Sequence, residues 1–165
     1  MASYKSVFLA RIFVSAVAIL PVVLACILGQ IATFPNLVPW YAGLAKPVFN
    51  PPNWLFAPVW TVLYILMICA VWRVLAGPQK LSAKRRALTF FFAQLALNAL
   101  WPWLFFYLHS PLAGLVEIIP QLILILATIH SFRRLNRLAA WCLVPLAAWV
   151  AFATLLNAAL WGLSL

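Results

Sequence analysis

Nine tryptophans, a single carboxylate and a few amides inside apolar runs are the residues with which this chain could do chemistry. Trp60, Tyr64 and Met67 are spaced i, i+4, i+7, and Gln94, Asn98, Trp101 and Phe105 are spaced i, i+4, i+7, i+11. Trp149, Ala153, Leu156 and Leu160 repeat that spacing, with Asn157 beside them. Each set falls on one face of a helix. Amides do not belong against acyl chains, so the Gln94/Asn98 stripe must point inward and bring Trp101 with it. A cavity lined by flat rings and two or three amides suits a large, rigid, mostly apolar guest such as a tetrapyrrole or a sterol. Each ring contact would add about 0.5–1.5 kcal/mol beyond burial.

Other chemistries lack their parts. There is no general acid–base pair and no nucleophile with a base at hand. Cys26, Cys69 and Cys142 are widely spaced within apolar stretches, with no CxxC pattern, and read as packing residues. No carboxylate or imidazole cluster could hold a metal, so none is expected, and no cofactor is required. Glu117, the only acid, lies in an apolar run with Gln121 one turn on. It reads as a neutral or hydrogen-bonded acid that fixes helix packing, with an intramembrane proton switch as the alternative. His109 and His130 stand at opposite ends of one span, about 30 Å apart, so they cannot ligate one haem together. Both read as helix-end residues.

The elements that must position these groups follow from composition. Of 165 residues, 68% are hydrophobic and only 7% charged, against roughly 45–50% and ~25% in soluble domains. A soluble globule could not be covered by so few charges. Five apolar runs, at about 7–29, 53–75, 87–108, 111–131 and 138–163, each match the ~20 residues that cross a bilayer. They do not alternate as barrel strands would. The expected fold is therefore an all-α integral membrane protein, a single domain over 1–165 comprising a five-helix transmembrane bundle.

Ten of the eleven basic residues fall on one side: Lys5, Arg11, Arg73, Lys80, Lys84, Arg85, Arg86, Arg133, Arg134 and Arg137. Lys46 alone falls on the other. This asymmetry predicts a cytoplasmic N-terminus, with the C-terminus and the long loop outside. The clusters sit between spans and so signal topology rather than a nucleic-acid partner. The basic start and Val23-Leu24-Ala25-Cys26 resemble a cleavable lipoprotein signal, but the apolar run continues past the cysteine, so the segment is kept as a span. The long connection, 30–52, carries Pro35, Pro39, Pro47, Pro51 and Pro52 among Trp40, Tyr41 and Phe49. Proline stiffens it and the aromatics let it pack down, which is the character of a lid. Each helix also carries one proline, Pro21, Pro58, Pro102, Pro120 or Pro145, either an ordinary kink or a group freed toward a cavity. At ~1.5 Å per residue, Trp60, Trp101 and Asn157 lie about 10 Å below the outer helix ends, and Asn98 and Trp149 about 15–20 Å. Trp54, Trp72, Trp141 and Trp161 read as interfacial belt residues. A small-residue stripe, Ala147, Ala151, Thr154 and Ala158, permits close contact within the bundle or with a second copy, making a homodimer.

Three stretches carry a family resemblance. The first is Trp40-Tyr41-Ala42-Gly43-Leu44-Ala45-Lys46-Pro47, followed by Asn50-Pro51-Pro52-Asn53-Trp54 and Pro58-Val59-Trp60-Thr61. The second is Gln94-Leu95-Ala96-Leu97-Asn98 with Trp101-Pro102 and Phe105-Phe106. The third is Pro145 with Trp149-Val150-Ala151-Phe152-Ala153-Thr154 and Leu156-Asn157. Together, and in this order, they resemble the translocator protein family, also called peripheral-type benzodiazepine receptors or, in bacteria, tryptophan-rich sensory proteins. The resemblance implies a five-helix, often dimeric fold that binds porphyrins such as protoporphyrin or haem and, in animal members, cholesterol and benzodiazepine-type drugs. It puts ligand contacts at Tyr41, Trp60, Tyr64, Asn98, Trp101, Trp149, Ala153 and Leu156, and it implies a light-dependent porphyrin breakdown involving Trp60 and Trp149 in some bacterial members. The family also tends to carry an acid where Glu117 stands. The animal sterol motif is not matched, because Ala158, Ala159 and Gly162 surround Trp161 and the last helix has no basic residue beyond its start.

The reading that results is a membrane-embedded binding protein for porphyrins or other planar hydrophobic molecules, acting in transport, sensing or detoxification. A light- and oxygen-dependent porphyrin-degrading enzyme and a proton-coupled drug exporter using Glu117 are the alternatives. The charge asymmetry points to a bacterial cytoplasmic membrane, whereas the resemblance also allows an outer membrane, bacterial or mitochondrial.

Overall fold

The computed structural model describes residues 4–165, with side chains from Ser6 onward. Residues 1–3 and the side chain of Lys5, which the charge count included, lie outside the described residues. The fold is five helices: α1 (Tyr4–Thr33), α2 (Asn53–Ala76), α3 (Leu81–Pro102), α4 (Pro111–Leu135) and α5 (Arg137–Leu163). All five are long and apolar enough to cross a membrane, and no strand occurs among the described residues.

The burial pattern is that of a bilayer protein. Val116, Ile119, Ile123 and Leu126 of α4 point outward, as do Leu20, Leu24, Ile27 and Ile31 of α1. Gln94, Asn98, Glu117, Gln121, Thr128 and Asn157 are buried. Apolar side chains are left to the lipid, and the polar ones, which lipid cannot satisfy, are gathered inside. The helices close a ring in the order α1, α2, α5, α4, α3, with α2 and α3 facing across it in only slight contact.

The helix ends are capped where the chain turns. Ser110 Oγ accepts from the Ala113 amide at the start of α4, and Pro111 occupies the first turn, where its missing N–H costs nothing. Asn136 joins α4 to α5 alone: its amide closes α4 on the Phe132 carbonyl at 2.7 Å, while its Oδ1 caps α5 through the Ala139 amide at 3.0 Å. Lys84 is buried because its ammonium donates to the carbonyls of Leu75 (2.8 Å) and Gly77 (2.7 Å), closing the end of α2.

The lid is shorter than the expected 30–52. Helix α1 runs on to Thr33, a 3-10 turn follows over Phe34–Asn36, and a wide π-type turn covers Leu37–Tyr41. Only about residues 44–52 lack helical structure. The prolines interrupt less than their number suggests. Pro35 sits in the first turn of the 3-10 segment, where it is tolerated. Val38, held extended at φ −130°, ψ 128° by the proline after it, makes the break. Pro102 likewise ends α3, and a π-type turn over Trp103–Tyr107 continues the helix.

Gly114 lets α4 approach its neighbours closely. A Cβ there would meet Asn157 Oδ1 at 2.9 Å and the Phe105 side chain at 3.1 Å. At Gly162, near the end of α5, a Cβ would meet nothing within 4 Å. Gly114→Ala is expected to destabilise the bundle by about 1–3 kcal/mol through overpacking. Gly162→Ala should be neutral or stabilising by up to about 1 kcal/mol, the gain in helix propensity. Thermal unfolding of both variants in one detergent measures the difference.

Candidate functional site

Most of the ring contacts collect at the end of the bundle beneath the loop, in two groups that meet. On α2, Trp60 lies against Tyr64 with centroids 5.5 Å apart, and Phe56, one turn earlier, meets Trp149 of α5 edge-on at 5.8 Å. Trp149 also contacts Phe152, which touches Phe49 of the loop. On α3, Trp101 stacks on Phe105 at 4.8 Å and 12°. Tyr41 and Trp40 of the loop lie over Phe105 and Phe106. Phe56 and Phe152 pack on the same cluster as Tyr41, Phe105, Leu156 and Leu160, which joins the two groups.

Polar groups hold this arrangement. Tyr64 donates to Asn98 Oδ1 at 3.0 Å across the ring from α2 to α3. The Trp101 indole donates to the Gly114 carbonyl at 3.1 Å and to Asn157 Oδ1 at 3.3 Å, and Asn157 Nδ2 donates to the Pro111 carbonyl at 2.7 Å. Pro111 and Gly114 are where α4 begins, so its carbonyls are turned to α3 and α5 by two side chains. Asn157, expected to touch ligand, thus has its oxygen and one amide hydrogen committed to the frame. Other buried polar atoms have no partner: Gln94 Oε1, Asn98 Nδ2 and both Glu117 oxygens. Gln94 Nε2 has only the Met67 sulfur, at 3.8 Å. A buried polar atom without a partner costs about 1–3 kcal/mol, so each is a point at which a guest or a water gains most.

The loop forms a roof by its own contacts. The Lys46 ammonium donates to the carbonyls of Tyr41 (2.7 Å), Ala42 (3.2 Å) and Leu44 (3.2 Å) and lies 4.8 Å from the Tyr41 ring centre. Tyr41 donates to Asn50 Oδ1 at 3.3 Å. At the far edge Trp40 stacks on His109 at 4.6 Å, and His109 Nε2 lies 2.9 Å from Asn36 Oδ1. His109 holds a left-handed backbone, φ 52°, at the α3–α4 turn.

Of the residues expected from sequence, Asn98, Leu156, Asn157 and Tyr41 are buried, and Trp60, Tyr64, Trp101, Trp149 and Ala153 are half-buried, on faces that line this end of the bundle. Glu117 is buried on α4, one turn below Gly114. Sequence reasoning missed Phe56 and Phe152, although they stand at i−4 from Trp60 and i+3 from Trp149. It also missed the Trp40–His109–Asn36 contact, whose partners are distant in sequence. Trp54 and Trp141 are exposed, as belt residues are.

The rings expected to line a slot make their contacts within each group: Trp60 with Tyr64, Phe56 with Trp149, and Trp101 with Phe105. Two open spaces lie away from the rings: a groove of about 410 Å³ between α2 and α5, lined by Leu66, Cys69, Arg73, Leu138, Trp141, Cys142 and Pro145, and a depression of about 270 Å³ beside Leu81, Ser82 and Arg85.

Comparison with known proteins agrees with this architecture. The sequence pattern of the TspO/MBR family matches residues 17–162. The chain is 44% identical over 118 residues to the tryptophan-rich protein TspO of Chlorobaculum tepidum, covering 72% of this chain and 75% of that one. It is 41% identical over 136 residues to the protein of the same name from Archaeoglobus fulgidus (82% and 87%), and 36% identical over 141 residues to the human translocator protein (84% and 82%). The chain belongs to the TspO/MBR family.

The roof depends on one cation. Lys46→Met is expected to raise amide hydrogen exchange across 41–50 by about tenfold or more, since three carbonyls lose a charged donor. Exchange in the interior of α3 should not change.

Proposed function

We propose that this multi-pass membrane protein of the TspO/MBR family binds a planar tetrapyrrole at its loop end, in transport, sensing or detoxification of that ligand. The observation that carries the reading is the joined set of rings from α2, α3, α5 and the loop around an asparagine, Asn98, whose amide nitrogen has no partner. A porphyrin exchanges ring–ring contacts for ring–macrocycle contacts of the same kind, so parting the cluster costs little dispersion. The free amide hydrogens then meet the acceptors at the ligand's polar edge. Entry follows from the construction of the roof: it is fastened at Lys46 and His109 by short-range contacts that can be released without disturbing a helix. By the charge rule the basic end lies in the cytoplasm, and the ring-lined end opens outside.

A buried carboxyl with both oxygens unpartnered favours one further reading, proton-coupled export through Glu117.

Protoporphyrin added to the detergent-solubilised protein should quench its tryptophan fluorescence strongly. Trp149→Phe should weaken binding about three- to tenfold, the loss of one extended ring contact; unchanged affinity excludes this site. In reconstituted vesicles, Glu117→Gln should leave protoporphyrin affinity unchanged. If a pH gradient drives substrate movement in the parent protein and not in Glu117→Gln, export replaces simple binding.

A further inference from the structure

The end of the bundle opposite the roof is short of negative charge. The chain has eleven Lys and Arg residues against one acid. That acid, Glu117, stands about 27 Å along α4 from the helix's basic end at Leu135. No side-chain carboxylate of the described chain is therefore placed to neutralise Arg73, Arg133, Arg134 or Arg137.

A groove opens at this end. Leu66, Cys69 and Arg73 of α2 face Leu138, Trp141, Cys142 and Pro145 of α5 across about 410 Å³. From Arg73 to Leu66, and from Leu138 to Pro145, the groove runs about 10 Å along each helix. Its walls are apolar apart from the guanidinium at one end. Arg73 Nε donates to Asn136 Oδ1 at 3.4 Å, which orients the group, and its terminal amines have no protein acceptor among the described residues. Trp141, largely exposed, stands at the mouth, where indoles mark the interface.

We propose that this groove is a binding site for an anionic phospholipid. The phosphate takes the guanidinium of Arg73, and one acyl chain lies between α2 and α5 against Leu66, Cys142 and Pro145. Charge complementarity selects the occupant. An apolar groove alone accepts any chain, but a fixed guanidinium with no internal counter-charge, at headgroup depth, selects a lipid of net negative charge. The fork geometry suits a phosphate, and the Asn136 contact leaves the two terminal amines free for it. The site lies at the end of the membrane away from the aromatic cluster and does not depend on the reading of that cluster.

Native mass spectrometry of protein released from mixed phosphatidylglycerol and phosphatidylcholine micelles tests the proposal. The parent protein should retain phosphatidylglycerol in preference to phosphatidylcholine, and soluble glycerophosphate should not displace it. Arg73→Gln should lower phosphatidylglycerol retention about tenfold, the loss of a charge-assisted contact, and Cys142→Trp, which fills the groove, should lower it with Arg73 intact. Arg85→Gln, on α3 and remote from the groove, should change retention little. Equal retention of the two lipids by the parent protein, displacement by glycerophosphate, or an equal loss in Arg85→Gln overturns the proposal, and the first two of these hold even if a variant fails to fold.

Discussion

Hydrocarbon offers no hydrogen bonds, and that constraint organises this molecule from end to end. It forces the backbone into helices that satisfy themselves, and it drives Gln94, Asn98, Glu117, Gln121, Thr128 and Asn157 into the interior while Leu, Ile and Val residues are left to face lipid. Several backbone carbonyls at helix ends are met by side chains from elsewhere. Lys84 closes α2 and Lys46 closes the loop, each by donating to several carbonyls at once. In both places a cation at a helix end meets the negative pole of the helix as well as its open acceptors.

The same rule explains the frame around Trp101. Its indole N–H would be costly if unpaired at that depth, and it is paired twice, with α4 through Gly114 and with α5 through Asn157. Asn157 passes the connection on to the Pro111 carbonyl. Three helices are thus tied at one node, which only a glycine at 114 leaves room for. Trp101 is therefore a ring held in a fixed orientation, with Phe105 stacked on it and Tyr41 and Trp40 above. Trp60, Tyr64 and Trp149 have fewer polar ties: Tyr64 alone has a hydrogen bond, to Asn98. One side of the cluster is tied by three hydrogen bonds, the other by ring contacts and the single Tyr64–Asn98 bond.

The two ends of the bundle are built from different materials. The roofed end uses rings, prolines and one lysine. The other end uses arginines and a groove open to the side, with Asn136 joining α4 to α5 and receiving Arg73. Each end meets a different requirement. The rings are covered by the loop, whereas cations at a membrane edge can draw counter-charges from lipid headgroups.

Composition and spacing were enough to determine the membrane class, the five spans and the sides of the helices that turn inward, because the cost of exposing an amide or a charge to lipid is local and can be read one helix at a time. The Gln94–Asn98–Trp101 stripe and the Leu156–Asn157 pair followed from a 3.6-residue period, and Phe56 and Phe152 were within reach of the same rule. Three things were not legible. The extent of the lid depended on which prolines a helical turn can absorb, and Pro35 and Pro39 differ only in context. The role of Asn157 depended on a carbonyl 46 residues away, and the meeting of His109 with Trp40 on a turn that brings 73 residues of separation between His109 and Asn36 down to 2.9 Å. Periodicity says which way a side chain points, but the distance between two opposing faces is set jointly by every helix in the ring, and no single helix carries that information.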